Sequence, residues 1–192
     1  MSALPSSPRL EFCCWTEEDL PRASSLWRDP EVMRYLGGVM WVEQVEERLK
    51  LEMARARSVG VQYWPIFERT TGEFAGCAGL RPYHHEPGVF EVGVHIMRRF
   101  WSEGLGEEAA RAVIRFAFEE LKVNGLTAGH NPENVHSKNL LGRLGFRFSH
   151  IEPWGPMQIG HLFYRLGRSS EGAGSGVVGM HGESRSLRFA TE

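Results

Sequence analysis

Glu91, His95, Gly104 and Gly106 fall close together in the run EVGVHIMRRFWSEGLGEEAARAVIRFAFEEL, from Glu91 to Leu121. A half-apolar strand enters a glycine turn there, and the turn opens into an amphipathic helix. The first amides of a helix have no partner within it and sit at the positive end of its dipole, so they attract phosphate. Gly104 and Gly106 remove the Cβ atoms that would hold a ligand away from those amides. The segment reads as a phosphate or pyrophosphate cradle, although glycines in such a turn also serve close packing alone. It is not a dinucleotide fingerprint, because the third glycine of G-x-G-x-x-G is missing. It is not a Walker loop either, since no Lys-Ser/Thr follows the glycines.

Strand alternation puts Glu91 and His95 on one face. Glu91 is a candidate general base acting through water, or else an edge carboxylate. His95 is a candidate proton relay, or else a filler of the sheet face. His130 and the pair His84-His85 are weaker candidates, of a residue type suited to amine deprotonation. Cys77 has no recognisable base partner that would make it a nucleophile.

The elements that must carry these groups follow from periodicity. Leu10–Trp15 reads as a strand, with Cys13 and Cys14 as small apolar residues in it. Thr16 precedes three acids, an N-cap and acidic first turn, and the helix it opens ends near Asp29-Pro30. Glu31–Leu36 adds a short turn before Gly37-Gly38, and Val42–Arg57 is a charged helix with one apolar stripe. Gln62–Arg69, Glu73–Arg81 and Val89–Met97 are three successive strands. Gly106–Leu121 has helical spacing of its apolar residues, Gly125–Gly129 is a brief strand, and Asn134–Leu144 is a helix closed by Gly145. Gly142, inside that helix, is an unfavourable choice. Phe146–Ile151 and Gln158–Leu166 are the last strands. This order predicts a mixed α/β sheet packed by helices.

The chain has 192 residues and a formal net charge of −2, enough for one domain and no general attraction to nucleic acid or membranes. No apolar run reaches the ~20 residues of a membrane span, and the N-terminus has no signal-peptide core. Three cysteines without ligand spacing predict neither a disulfide framework nor a metal site, and a reducing cytoplasm is the expected compartment. Residues 1–8 are expected to be a flexible lead-in, 9–166 the folded domain, and 167–192, rich in Gly and Ser, a disordered tail.

Two motifs then add a resemblance. Trp101–Ala109, WSEGLGEEA, resembles the acyl-CoA pyrophosphate loop of the GCN5-related N-acetyltransferase (GNAT) superfamily. His130–Phe148, HNPENVHSKNLLGRLGFRF, resembles that superfamily's Asn-x-x-Ser/Ala helix ending in Leu-Gly-Phe, and Trp15–Gly38 resembles the branch containing the ribosomal-protein alanine N-acetyltransferases. The likeness runs from about Arg9 to Leu166. It implies a mostly antiparallel sheet of about seven strands, splayed between the fourth and fifth, with acetyl-CoA as co-substrate and no metal. The pantetheine would bond to the backbone of Val94, His95 and Ile96. The pyrophosphate would lie on the amides of Trp101, Ser102, Glu103, Gly104, Leu105 and Gly106. Asn134 matches the asparagine beside the pantetheine, with Asn139 on the same helix and Ser137 near the acyl end as an assisting group. The chain departs from the pattern at Leu141, where many relatives carry the tyrosine that protonates the thiolate, and at Met97-Arg98-Arg99, where Asp-Pro is common. Arg98 and Arg99 either attract phosphate or are solvated. The implied partner is an amine acceptor, either a small molecule or a protein N-terminus, on a monomer or homodimer. Trp27, Trp41, Trp64 and Trp154 fall in segments that would form the acceptor side. The alternative is a non-catalytic acyl-CoA sensor.

Overall fold

The structure is a computed structural model that describes residues 3–155 and 158–168. The strands are β1 (Leu10–Phe12), β2 (Tyr63–Glu68), β3 (Phe74–Pro82), β4 (Val89–Ile96), β5 (Gly125–His130), β6 (Arg147–Trp154) and β7 (Ile159–Gly167). They form one sheet in the order β1-β2-β3-β4-β5-β7-β6. Every neighbouring pair is antiparallel except β4 and β5, which run parallel. The helices are α1 (Leu20–Trp27), α2 (Pro30–Met33), α3 (Val42–Val59), α4 (Leu105–Glu119) and α5 (Val135–Arg143). Among the described residues no helix is long and apolar enough to cross a membrane.

Two apolar layers clamp the sheet. On one side, Ala109, Ala110, Val113, Phe116 and Ala117 of α4 pack on Ile66, Ala78, Leu80 and Val92, and Leu141 of α5 joins the same cluster. On the other, Ala23, Leu26 and Trp27 of α1 and Val45 and Leu49 of α3 pack on Tyr63, Phe74 and Cys77. The apolar stripe of α4 recurs at helical spacing, so its buried face is the one expected from periodicity. Helix α5 starts as expected: Asn134 Oδ1 accepts the Ser137 N–H at 3.0 Å. Gly145 follows that helix with φ 83°, the left-handed conformation that ends it.

Three expectations need correction. Residues 3–8 do not hang free: the Ser6 carbonyl accepts from Arg115 at 2.9 Å, and Ser7 is buried against Glu108 of α4. The first strand stops at Phe12, and Cys14 is exposed, because the chain turns toward α1 after Cys13 bonds to Pro65. The final hairpin is longer than expected, with β6 reaching Trp154. Most of the Gly/Ser-rich tail, from 169 onward, lies outside the described residues.

Gly142 sits inside α5 with nothing within 4 Å of the position a Cβ would take. Gly142→Ala is therefore expected to stabilise the chain by about 0.5–1 kcal/mol. Urea unfolding should show a higher midpoint at unchanged slope.

Candidate active site

The parallel β4–β5 pairing lasts only from Val89, Phe90 and Glu91 against Gly125, Leu126 and Thr127. Beyond it the two strands part, and a cleft opens between Val92–His95 on one wall and Ala128–Asn131 on the other. Leu140 and Leu141 of α5, with Leu144 and Phe146 just after it, line the cleft as well. So do Tyr63, Arg81, Glu91, Trp154, His161 and Phe163.

Hydrogen-bond parity decides which main-chain groups of β4 face this gap. In an antiparallel ladder alternate residues bond to the partner strand and the residues between them point away. Tyr83 N bonds to Val89 O and Met97 N to Ala75 O, and the register pairs Cys77 with His95 and Ala78 with Val94. The odd-numbered residues, His95 included, therefore spend their amides on β3. Those of Val92, Val94 and Ile96 face away from β3, toward the gap. The amides open to an added strand on this edge are thus those of Val94 and Ile96, while that of His95 is spent on β3. The Ile96 carbonyl already accepts from Trp101 Nε1 at 2.9 Å.

The expected cradle begins α4. Ser102 has φ 66° and Gly104 φ 78°, both left-handed, and Gly104 is the residue that opens the helix. Helix bonding resumes with Glu108 N to Gly104 O at 3.1 Å, which leaves the amides of Leu105, Gly106 and Glu107 without helical partners. Carboxylates so close to an anion site would repel it, yet both are neutralised. Glu107 is held by Arg111 and by Arg143 of α5, each at 2.7 Å, and these bonds lower its pKa. Burial tends to raise the Glu108 carboxyl, but bonds from Ser7 and Arg9 outweigh it and the net shift is downward. Arg99 does not turn to the cradle; it donates to the Phe74 carbonyl at 2.9 Å and stacks on Phe100.

Glu91 is no free edge carboxylate. Arg81, directly opposite on β3, grips it with two bonds of 3.0 and 2.7 Å inside the cleft wall. His95 is buried: its Nδ1 accepts from Trp27 Nε1 at 3.2 Å, and Cys77 Sγ lies 3.7 Å away. Burial first, then the nearby Arg48 and Arg81 cations, depress its pKa well below the ordinary value, so the ring is neutral. Cys77 thus does have a histidine neighbour. Burial nevertheless pushes its thiol up to about 12, which makes it inert rather than nucleophilic.

Ser137 and Asn134 line the cleft as expected, whereas Asn139 is exposed and does not. Of the four tryptophans, Trp154 alone lines the cleft, stacked on His161 at 4.6 Å. Trp27 and Trp64 are core, and Trp41 is 75% exposed. His130 ends β5, with Nδ1 2.7 Å from the Asn131 carbonyl and Nε2 buried without a partner among the described residues.

Tyr63 is the residue that sequence reasoning missed. It starts β2, with its N–H on Glu52 of α3 at 2.8 Å and its carbonyl on Trp15 Nε1 at 2.6 Å. From there its ring crosses the sheet to β4. A Cβ on Gly93 would come within 2.3 Å of the Tyr63 hydroxyl and ring, so only glycine at 93 lets the phenol reach the cleft. Burial raises the Tyr63 pKa and keeps the hydroxyl protonated. Arg48 of α3 lies over the Trp27 ring at 4.3 Å and also lines the cleft.

A splayed parallel pair, free strand amides and a helix start beside them make up this site, and known proteins with the same features place it in a family. Residues 9–147 match the model of the acetyltransferase (GNAT) domain. A Bacillus licheniformis protein named uncharacterized N-acetyltransferase p20 is 30% identical over 132 residues, which cover 68% of this chain and 74% of the relative. The fold is shared with a GNAT-family acetyltransferase from Bacillus anthracis (TM-score 0.73, 20% identity, 85% of this chain and 97% of that one). It is shared also with RimL, the ribosomal L7/L12 α-N-protein acetyltransferase (TM-score 0.72, 14% identity, 85% and 93%). The chain belongs to the GNAT family of acetyltransferases.

Proposed function

We propose that this chain transfers the acetyl group of acetyl-CoA directly to a primary amine, with both substrates bound at once. The observation that carries the reading is the gap beside β4, where unpaired strand amides lead straight to the start of α4. Pantetheine would add to β4 through Val94 and Ile96 as an extra strand, and the pyrophosphate would rest on the amides from Trp101 to Gly106. The residues fit such a ligand. A Cβ on Gly106 would make only ordinary contact with Ile96 at 3.5 Å, so the protein's own packing does not demand glycine there. The amide nitrogen of Asn134 remains available to the pantetheine, because only its oxygen caps α5.

The acceptor nitrogen attacks the thioester carbon, the C–S bond breaks, and the thiolate leaves. Glu91 takes the proton lost by the ammonium, through water, while Arg81 fixes the carboxylate in place. Leu141 cannot supply a proton to the thiolate. Ser137 and the protonated Tyr63 hydroxyl are the donors on the two sides of the cleft, and Tyr63 acts as a hydrogen-bond donor rather than a strong acid. A second reading of the base rests on His130. Its Nδ1 proton is fixed on the Asn131 carbonyl, so the unpartnered Nε2 carries a free lone pair.

The test is CoA release from acetyl-CoA over a panel of small amines, aminoglycosides, polyamines and peptides with free N-termini. Turnover on at least one class is expected. Tight acetyl-CoA binding with no turnover on any of them would replace this reading with a sensor role.

A further inference from the structure

We infer that the chain carries a binding site for a divalent transition metal of the zinc class, built by His84, His85 and Glu152. The site lies between the β3–β4 loop and strand β6. One ligand atom from each of these residues lies within 4.8 Å of the other two. His85 Nε2 is 3.0 Å and His84 Nε2 3.5 Å from the same carboxylate oxygen, Glu152 Oε1. Bonds of about 2.0–2.2 Å in a tetrahedral shell put donor atoms roughly 3.3–3.6 Å apart. Small movements of two exposed imidazoles would therefore admit the ion. Two nitrogens and one oxygen suit Zn(II), Co(II), Ni(II) or Cu(II) better than calcium or magnesium.

The other oxygen of Glu152 has its own support. Tyr83 donates its hydroxyl to Oε2 at 3.0 Å, and His150 Nε2 lies 3.2 Å from the same atom. Ligating carboxylates are held in this way by groups that do not touch the metal. The pairing points in the same direction. Among the described residues every ion-pair partner of Glu152 is a histidine, and no Arg or Lys pairs with it. The rings of His84 and His85 stand 3.6 Å apart beside that one carboxylate.

Such an ion would be structural. Tyr83 packs 6.2 Å from Phe163, and His150 stacks on the same ring at 5.3 Å, so the ion would clip the loop and β6 over a wall of the cleft. The transfer chemistry needs no metal, and the site stands independently of the acceptor's identity.

The test is calorimetric titration of the metal-free full chain with Zn(II), with Co(II) absorption as a second readout. One saturable site is expected, along with a visible Co(II) d–d band and a zinc-dependent rise in Tm. The double variant His84→Ala/His85→Ala and the single variant Glu152→Gln should lose all three signals. His150→Gln should weaken binding by about 10–100-fold. His84 and His85 are solvent-exposed and His150 is half-buried, and circular dichroism checks that each variant is folded. No saturable binding in the parent chain, or equal binding by the parent and the double variant, overturns the proposal.

Discussion

Gly104→Val is expected to weaken acetyl-CoA binding by about 100-fold, a loss of roughly 2.7 kcal/mol. The effect is conformational rather than a clash. A Cβ at 104 would meet only Arg9 Nη2, at 3.7 Å, but Gly104 holds φ 78°, where a β-branched residue is strained. Valine would pull the residue out of the left-handed region and rotate the peptide units on either side of it. Those units carry the amides that open α4, and a phosphate loses charge-assisted bonds of about 1.5–3 kcal/mol each when they turn away. Gly104→Asn is the control, since asparagine tolerates the left-handed region, and it should retain most of the affinity. Calorimetry on variants shown to be folded by their melting curves separates binding from stability. Unchanged affinity in the valine variant would remove the cradle from this segment.

That half of the site was legible in the sequence because it is nearly continuous. Strand, turn and helix follow one another from Glu91 to Glu119, and Asn134 announces the next helix with its own cap. Local rules govern such features: alternation, helical spacing, and glycine where φ is positive. The splay between the fourth and fifth strands followed from family resemblance, not from composition, and the strand order was not foreseen at all. The acceptor half was not legible, because no local rule joins its parts. Tyr63 matters only because Gly93, two strands away, has no side chain to block it. Arg81 reads as a surface charge until the β3–β4 register sets it opposite Glu91. That the His95 amide is spent on β3 was hidden for a related reason. Which strand amides are free depends on ladder parity, and parity is fixed by where a hairpin closes, here at Tyr83 and Val89. Cys77 and His95 likewise meet only through that register.

The same register sharpens what Glu91 can do. Its carboxylate is close to the expected acyl site, but two Arg81 bonds occupy lone pairs a proton would use. The grip has two consequences with opposite signs. It takes up acceptor positions on the carboxylate, but it also locks the rotamer, which raises the fraction of time a bridging water is in position. If orientation dominates, Glu91→Gln should lower kcat by about 10²-fold or more, the scale of lost general-base assistance, with little change in acetyl-CoA affinity. The acid limb of the pH–rate profile should disappear with it. Arg81→Lys should then cost less than Glu91→Gln, since lysine keeps the charge but not the two-pronged grip. A Glu91→Gln enzyme with an unchanged profile would exclude the carboxylate and transfer the role to His130. In that case His130→Gln should abolish the limb, because glutamine cannot take the proton that the unpartnered Nε2 would accept.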